Sequence, residues 1–228
     1  MIFGGFFVII MGQEDMGINI LTSGFPGGFT KEFAELLHRL IIKKDCFVFV
    51  ASEFEKNYNK TDKYFGCFLQ MFKDIGIEFE RTLVVDGRMT FEEAQKAVST
   101  ADVLWLAGGD TLAQFKYIKS YGLIPIMKER NGITIGMSAG SINMAKTAIC
   151  TVTCGHSELK IYPAIGLVDI TVEPHLDCQH VSDELLQLSE SYPIYGMCDN
   201  SVIVVEENKT LYLGDVFLID GGIVKRIE

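Results

Sequence analysis

The stretch Asn131-Gly-Ile-Thr-Ile-Gly-Met-Ser-Ala-Gly-Ser-Ile-Asn-Met144 joins a β-branched run to an apolar segment with helical spacing. Between the two stands Gly136-Met137-Ser138-Ala139-Gly140, a Gly-x-Ser-x-Gly sequence. Where a strand turns sharply into a helix, that pattern holds a serine hydroxyl above the end of a sheet. Small residues beside the serine permit the tight turn and the close approach of neighbouring backbone. The same five residues can occur in any glycine-rich loop, and it is the strand before and the helix after that give them weight here. Ser138 is therefore the candidate nucleophile.

Upstream, the same strand-then-helix unit repeats. Ile18 to Thr22 is a short apolar run followed by the loop Gly24-Phe25-Pro26-Gly27-Gly28. From Phe29 the apolar residues recur as Phe33, Leu36, Leu37, Leu40 and Ile41, a stripe that packs a helix on one face of a sheet. Cys46 to Ala51 is continuously apolar, as a strand buried on both faces requires. Tyr58 to Ile75 reads as a helix stopped by Gly76, and Phe79 to Val85 as the third strand. Thr90-Phe-Glu-Glu93 is a capping box opening a helix to about Val98. Ala101 to Ala107 is the fourth strand, with Trp105 in the core, and it runs into Gly108-Gly109-Asp110-Thr111 and the helical stripe Leu112, Phe115, Ile118. A short helix at Ile126 to Arg130 leads to the fifth strand, Ile133 to Ile135. Successive strand-helix-strand connections predict an α/β fold with a doubly wound, mainly parallel sheet flanked by helices.

Downstream the pattern changes. Thr147 to Lys160 is polar and irregular. Short apolar runs then follow at Ile165–Val168, Ile170–Val172, Pro193–Met197, Ser201–Val205, Thr210–Leu213 and Val216–Ile219, separated by turn residues such as Asp199-Asn200 and Gly221-Gly222. These predict strands that extend the sheet, C-terminal β-hairpins, and one helix near Ser182 to Ser189. No linker or repeat marks a boundary, so residues 1–228 are read as one α/β domain, with 1–17 as an N-terminal extension or an added buried strand. Met1 to Met11 is apolar, but no Lys or Arg precedes it, no small-residue cleavage site follows, and it is too short to span a bilayer.

A chain of 228 residues with 48% hydrophobic content can bury a substantial core. The formal net charge of -10 excludes a surface built to attract nucleic acid or anionic lipid, since such partners call for clustered Lys and Arg. The six cysteines contain no C-x-x-C pair, and most are read as reduced in a cytoplasmic protein.

A serine hydroxyl is a weak nucleophile that needs a base within hydrogen-bond reach and a third group to orient that base. The chain has four histidines. His38 falls inside the first amphipathic helix. His175, in Val172-Glu-Pro-His-Leu-Asp177, stands at the exit of an expected strand, where the carboxyl edge of an α/β sheet collects functional groups. It is the preferred base, with His156 and His180 in reserve. For the acid, Glu158 in the loop after the Ser138 helix is preferred over Glu173 and Asp177, which are constrained by the strand of His175. The oxyanion needs preorganised N–H donors, here Ala139 directly after the serine and Gly109 from another strand-end loop. Gly108 and Asp110 are placed against the substrate; the alternative is a tight turn in which Asp110 caps the next helix.

Taken in order, Leu106-Ala-Gly-Gly-Asp-Thr111, Gly136-Met-Ser-Ala-Gly140 and Pro174-His175 resemble the serine peptidases that comprise α-aspartyl dipeptidase (peptidase E) and cyanophycinase, whose fold is similar to class I glutamine amidotransferases. The resemblance runs from about Ile18 to the C-terminal hairpins. It implies Ser138 as nucleophile, His175 as base, Gly109 and Ala139 as oxyanion donors, and cleavage of short peptides through an acyl-enzyme without a cofactor. Peptidase E carries an aspartate in the loop after the serine helix, where Cys150 to Cys154 here offers no acid before Glu158. It also reads the substrate aspartate with an arginine beyond its histidine, yet no Lys or Arg occurs here between Lys160 and Lys209. Three rivals stand beside this reading. An amidotransferase would carry cysteine at position 138. A metal site could draw on Cys150, Cys154, His156, His175, Cys178 and His180, although their spacing fits no standard zinc pattern and no metal is expected. A noncatalytic binding protein would keep the fold alone. The expected partner is a short peptide, on a monomer or homodimer, with neither nucleic acid nor membrane.

Overall fold

The structure, a computed structural model, describes residues 17–207 and 209–227. The strand or extension expected over residues 1–16 lies outside them. In chain order the first half is β1 (Ile18–Thr22), α1 (Lys31–Leu40), β2 (Cys46–Val50), α2 (Tyr58–Asp74), β3 (Arg81–Val85), α3 (Phe91–Ser99) and β4 (Val103–Leu106). Then α4 (Thr111–Ser120) and α5 (Leu123–Glu129) precede β5 (Ile133–Met137) and the short α6 (Ala139–Met144). The remainder is β6 (Thr147–Cys150), β7 (Lys160–Pro163), β8 (Thr171–Pro174), α7 (Asp183–Ser189), β9 (Ile194–Met197), β10 (Val202–Glu206), β11 (Lys209–Leu213), β12 (Val216–Asp220) and β13 (Ile223–Arg226).

Seven strands form the large sheet in the order β11-β10-β1-β5-β4-β2-β3. Its first five strands in sequence pair in parallel, β10 pairs antiparallel with β1, and β11 pairs antiparallel with β10 at the edge. Helices cover both faces. On one face α1 and α2 bury Phe33, Leu36, Leu37, Phe68 and Phe72 against Phe47, Phe49 and Trp105. On the other, α3 to α6 set Ala97, Val98, Ile118, Met127 and Ile142 against Val48, Val50 and Leu104. Every residue of β2 is buried, as its unbroken apolar run requires. Full burial of one such side chain contributes ~1.5–3 kcal/mol, and Trp105, wholly buried, adds ring contacts to Phe29, Phe68 and Phe72 at 4.6–6.2 Å. Local chemistry agrees with this packing: Thr30 caps α1, and Thr90 and Glu93 close the expected capping box on α3.

The C-terminal third departs from the expectation that its strands extend the sheet. Only β10 and β11 do so, while β8, β9, β12 and β13 form a second sheet in the order β13-β12-β9-β8. The reason is the connection through α7, which makes β8 and β9 a parallel pair of their own. The polar stretch after α6 contains β6, which pairs antiparallel with β7. The apolar run Ile165–Val168 is not a strand. Its N–H groups go instead to carbonyls at the end of α6: Ile165 N to Asn143 O, Gly166 N to Ala145 O and Leu167 N to Met144 O, at 2.9–3.0 Å. Those carbonyls have no partner within the helix.

Register fixes where a site can form. Thr22 pairs with Met137, Leu106 with Gly136 and Val50 with Leu106. The loops after β1, β2, β4 and β5 therefore emerge together on the carboxyl edge, where ligands of open α/β sheets bind.

Candidate active site

Ser138 sits at the turn between β5 and α6 with φ 50° and ψ -108°, a conformation that L-residues rarely hold. The flanking glycines are there for space. A Cβ on Gly140 would lie 2.2 Å from the Leu106 carbonyl oxygen, and one on Gly136 would lie 2.7 Å from the Gly140 carbonyl carbon. Hydrogen bonds over-determine the turn: Ser138 N donates to Thr22 O at 2.9 Å, and Ile142 N to Ser138 O at 3.0 Å. The buried Ser141 hydroxyl lies 2.8 Å from both the Thr22 and the Gly136 carbonyl oxygens.

His175 follows β8 and also takes a left-handed conformation, φ 57°. Its Nε2 is 3.0 Å from Ser138 Oγ and its Nδ1 is 2.8 Å from Asp199 Oδ1. Asp199 follows β9, the parallel neighbour of β8. An ionised carboxylate can only accept, so Nδ1 carries the ring proton and the Nε2 lone pair faces the serine hydroxyl.

The structure does not bring Glu158 to this histidine, and the preference for it as the acid is corrected. Its carboxylate pairs with Lys160 at 2.9 Å, two residues on where the loop enters β7, and that hydrogen bond holds its carboxyl below the ordinary value. Asp177 turns onto the Gln179 N–H at 2.9 Å. Glu173 is buried and accepts from Thr151 Oγ1 at 2.7 Å, and burial pushes its carboxyl up to about 7. Asp199, read as a turn residue, was accessible to the rule that selected His175: it too stands at the exit of an expected strand.

Two cavities meet at Ser138, Gly109 and Asp110. The first, about 390 Å³, has an apolar wall of Phe49, Phe68 and Met137 with Glu53, Lys60 and Tyr64 around it. The second, about 350 Å³, is lined by Thr111, Leu112, Cys154, His156, Glu158 and Lys160. Gly109 has φ 135° and packs on Ser52, where a Cβ would be 2.2 Å from the Ser52 hydroxyl. Gly108 lies against Met137 and Ser138. Ala139 is the first residue of α6, whose opening N–H groups have no partner within the helix. Asp110 Oδ1 accepts from Ala113 N at 2.9 Å, so this residue caps α4 while bordering both cavities.

Of the reserve histidines, His156 faces the second cavity but bonds Thr151 O and Thr111 Oγ1, and His180 lies away from Ser138 beside Leu176 and Phe217. Among the described residues no three His, Cys, Asp or Glu side chains converge as metal ligands. Cys178 and Cys198 are joined by a disulfide, Cα–Cα 6.0 Å, because pairing of β8 with β9 brings their following loops together. Cys46, Cys67, Cys150 and Cys154 are free, and burial pushes the Cys154 thiol up to about 12. No helix among the described residues is long and apolar enough to cross a membrane.

A serine, a histidine and a carboxylate in hydrogen-bond sequence at the edge of an α/β sheet have the geometry of serine-type hydrolases. The chain belongs to peptidase family S51, whose sequence profile matches residues 24–213, and it is a serine-type peptidase. Its fold is similar to that of a peptidase from an acI-B1 Actinobacterium, with TM-score 0.68 at 15% identity over 93% of this chain and 94% of that one. It is likewise similar to a peptidase E-like protein from Listeria monocytogenes EGD-e, with TM-score 0.65 at 18% identity over 87% of this chain and 98% of that one. Comparison of the sequence with curated proteins finds no match.

Proposed function

We propose that this protein cleaves short peptides, as a dipeptidase or other exopeptidase, through an acyl-enzyme on Ser138. The observation that carries the reading is the hydrogen-bond chain Ser138 Oγ, His175 Nε2 at 3.0 Å, and Asp199 Oδ1 at 2.8 Å from Nδ1. Ser138 Oγ attacks the scissile carbonyl carbon while its proton passes to His175 Nε2, and Asp199 stabilises the imidazolium that forms. The Gly109 and Ala139 N–H groups hold the oxyanion. As the intermediate collapses, the C–N bond breaks and the leaving amine takes the proton from Nε2. Water, deprotonated by the same nitrogen, then releases the acyl group and restores the serine.

Two cavities of similar size meeting at Ser138 favour a substrate with one residue or a few on each side of the scissile bond. A cytoplasmic location, expected from the sequence, belongs to this proposal and is checked by cell fractionation. The main test is chemical. A fluorophosphonate probe is expected to label the native protein and to leave Ser138→Ala unlabelled, and a dipeptide panel is expected to yield a substrate. Absence of labelling in folded protein would overturn the serine mechanism. Efficient digestion of long unstructured proteins would overturn the restriction to short peptides.

A further inference from the structure

Ser23, one residue past β1, is completely buried although it is polar, and its hydroxyl stands between two members of the proposed triad. Ser23 Oγ is 2.8 Å from the backbone nitrogen of His175 and 3.4 Å from Asp199 Oδ1. A backbone N–H can only donate, so the Ser23 oxygen accepts from His175. Its own proton is thereby left for Asp199, a carboxylate that can only accept and whose Oδ1 already takes the His175 Nδ1 proton. One hydroxyl thus holds the left-handed backbone of the base by a short bond and reaches the carboxylate of the acid by a longer, weaker one. The neighbouring backbone repeats the tie, Ser23 N donating to Ser201 O at 3.2 Å and Asn200 N to Gly24 O at 2.7 Å.

We infer that Ser23 is a positioning residue of the catalytic apparatus, acting through His175 and Asp199 without touching substrate. A satisfied buried serine with no such role would make its side-chain hydrogen bonds away from the reacting groups; both bonds of the Ser23 hydroxyl end on residues that hold or move the proton in the proposed mechanism. The inference rests on the Ser138-His175-Asp199 reading. It requires that loss of the hydroxyl slow the chemical step and leave binding intact, because neither cavity is lined by Ser23.

The experiment is fluorophosphonate labelling of the whole protein, resolved into the maximal rate and the probe concentration for half-maximal rate, with folding checked by near-UV circular dichroism. Ser23→Ala is expected to lower the maximal rate about tenfold or more and to move the half-maximal concentration by less than about twofold. Ser23→Thr, which keeps the hydroxyl, is expected to recover to within about threefold of the unaltered protein. Should Ser23→Ala fail to fold, Ser23→Cys takes its place, filling the site with a somewhat larger atom that donates and accepts weakly. Labelling of the alanine variant at the unaltered rate would overturn the inference. So would a loss that Ser23→Thr shares in full, or one carried by the half-maximal concentration. A folded, unaltered protein that takes no label removes the serine mechanism itself, and the inference with it.

Discussion

Exchange of Asp199 for asparagine tests the site at its most exposed joint. The carboxylate lies 2.8 Å from His175 Nδ1 and keeps the proton on that nitrogen. An asparagine that turns its amide N–H toward Nδ1 forces the proton to Nε2, which then points a donor at Ser138 Oγ, 3.0 Å away, and can no longer take the serine proton. In the serine-protease template the same exchange costs about 10⁴-fold in kcat, where the acid is buried. Here the His175 and Asp199 side chains are 44% and 47% exposed, so water can hydrate the imidazolium in place of part of the lost charge. The expected loss is correspondingly smaller, about 10²–10³-fold, or ~3–4 kcal/mol in the barrier. The assay is the rate of fluorophosphonate labelling at pH 8, with Glu158→Gln run beside it and expected to stay within about twofold of the unaltered protein because its carboxylate serves Lys160. Labelling of Asp199→Asn within about threefold of the unaltered protein, or an equal loss in Glu158→Gln, would refute the assignment of the acid.

Two further outcomes follow from the packing. A Cβ on Gly24 would lie 2.8 Å from Asp199 Oδ1 and 2.9 Å from His175 Cε1, so Gly24→Ala is expected to fold but to label at less than about a tenth of the unaltered rate. Normal labelling would show that the triad tolerates displacement. The buried carboxyl of Glu173 is raised from 4.5 to about 7, so between those values the folded protein keeps a proton that the unfolded chain has released. Stability therefore falls as pH rises through that window, by about 3 kcal/mol in all at 1.36 kcal/mol per unit. Glu173→Gln should abolish that fall, seen as nearly equal urea unfolding free energies at pH 5 and pH 8, and a slope left unchanged would contradict the burial argument.

The parallel half of the fold was readable because its signals are local. Apolar runs, capping residues and the glycines around Ser138 each report on a few neighbouring positions, and the first five strands and their helices follow from them. The C-terminal third depends on choices that no local pattern encodes. Whether Pro193–Met197 joins the large sheet or pairs with the strand before His175 is decided by the α7 crossover, and whether Ile165–Val168 becomes a strand is decided by the orphan carbonyls of α6. The site divides in the same way. Ser138, Gly109, His175 and Asp199 all stand at the exits of strands that can be named from sequence, but which carboxylate meets the histidine is decided by the pairing of β8 with β9, a contact across 24 residues. Glu158 is preferred from sequence because its loop can reach the carboxyl edge of the sheet, and the neighbouring Lys160 holds its carboxylate instead.

The division between two sheets also bears on when the enzyme can act. Ser138 belongs to the large sheet, and the His175-Asp199 pair belongs to the parallel strands of the small one. A chain emerging from synthesis can complete β1 to β5, and with them the serine turn, while His175 and Asp199, the proposed base and acid, have yet to be made. The hydrogen bond from His175 N to Ser23 Oγ joins the end of β8 in the small sheet to the end of β1 in the large one. On the proposed Ser138-His175-Asp199 mechanism, hydrolytic power arises only when the last third of the chain has docked, and an incomplete or partly opened molecule carries its serine unarmed.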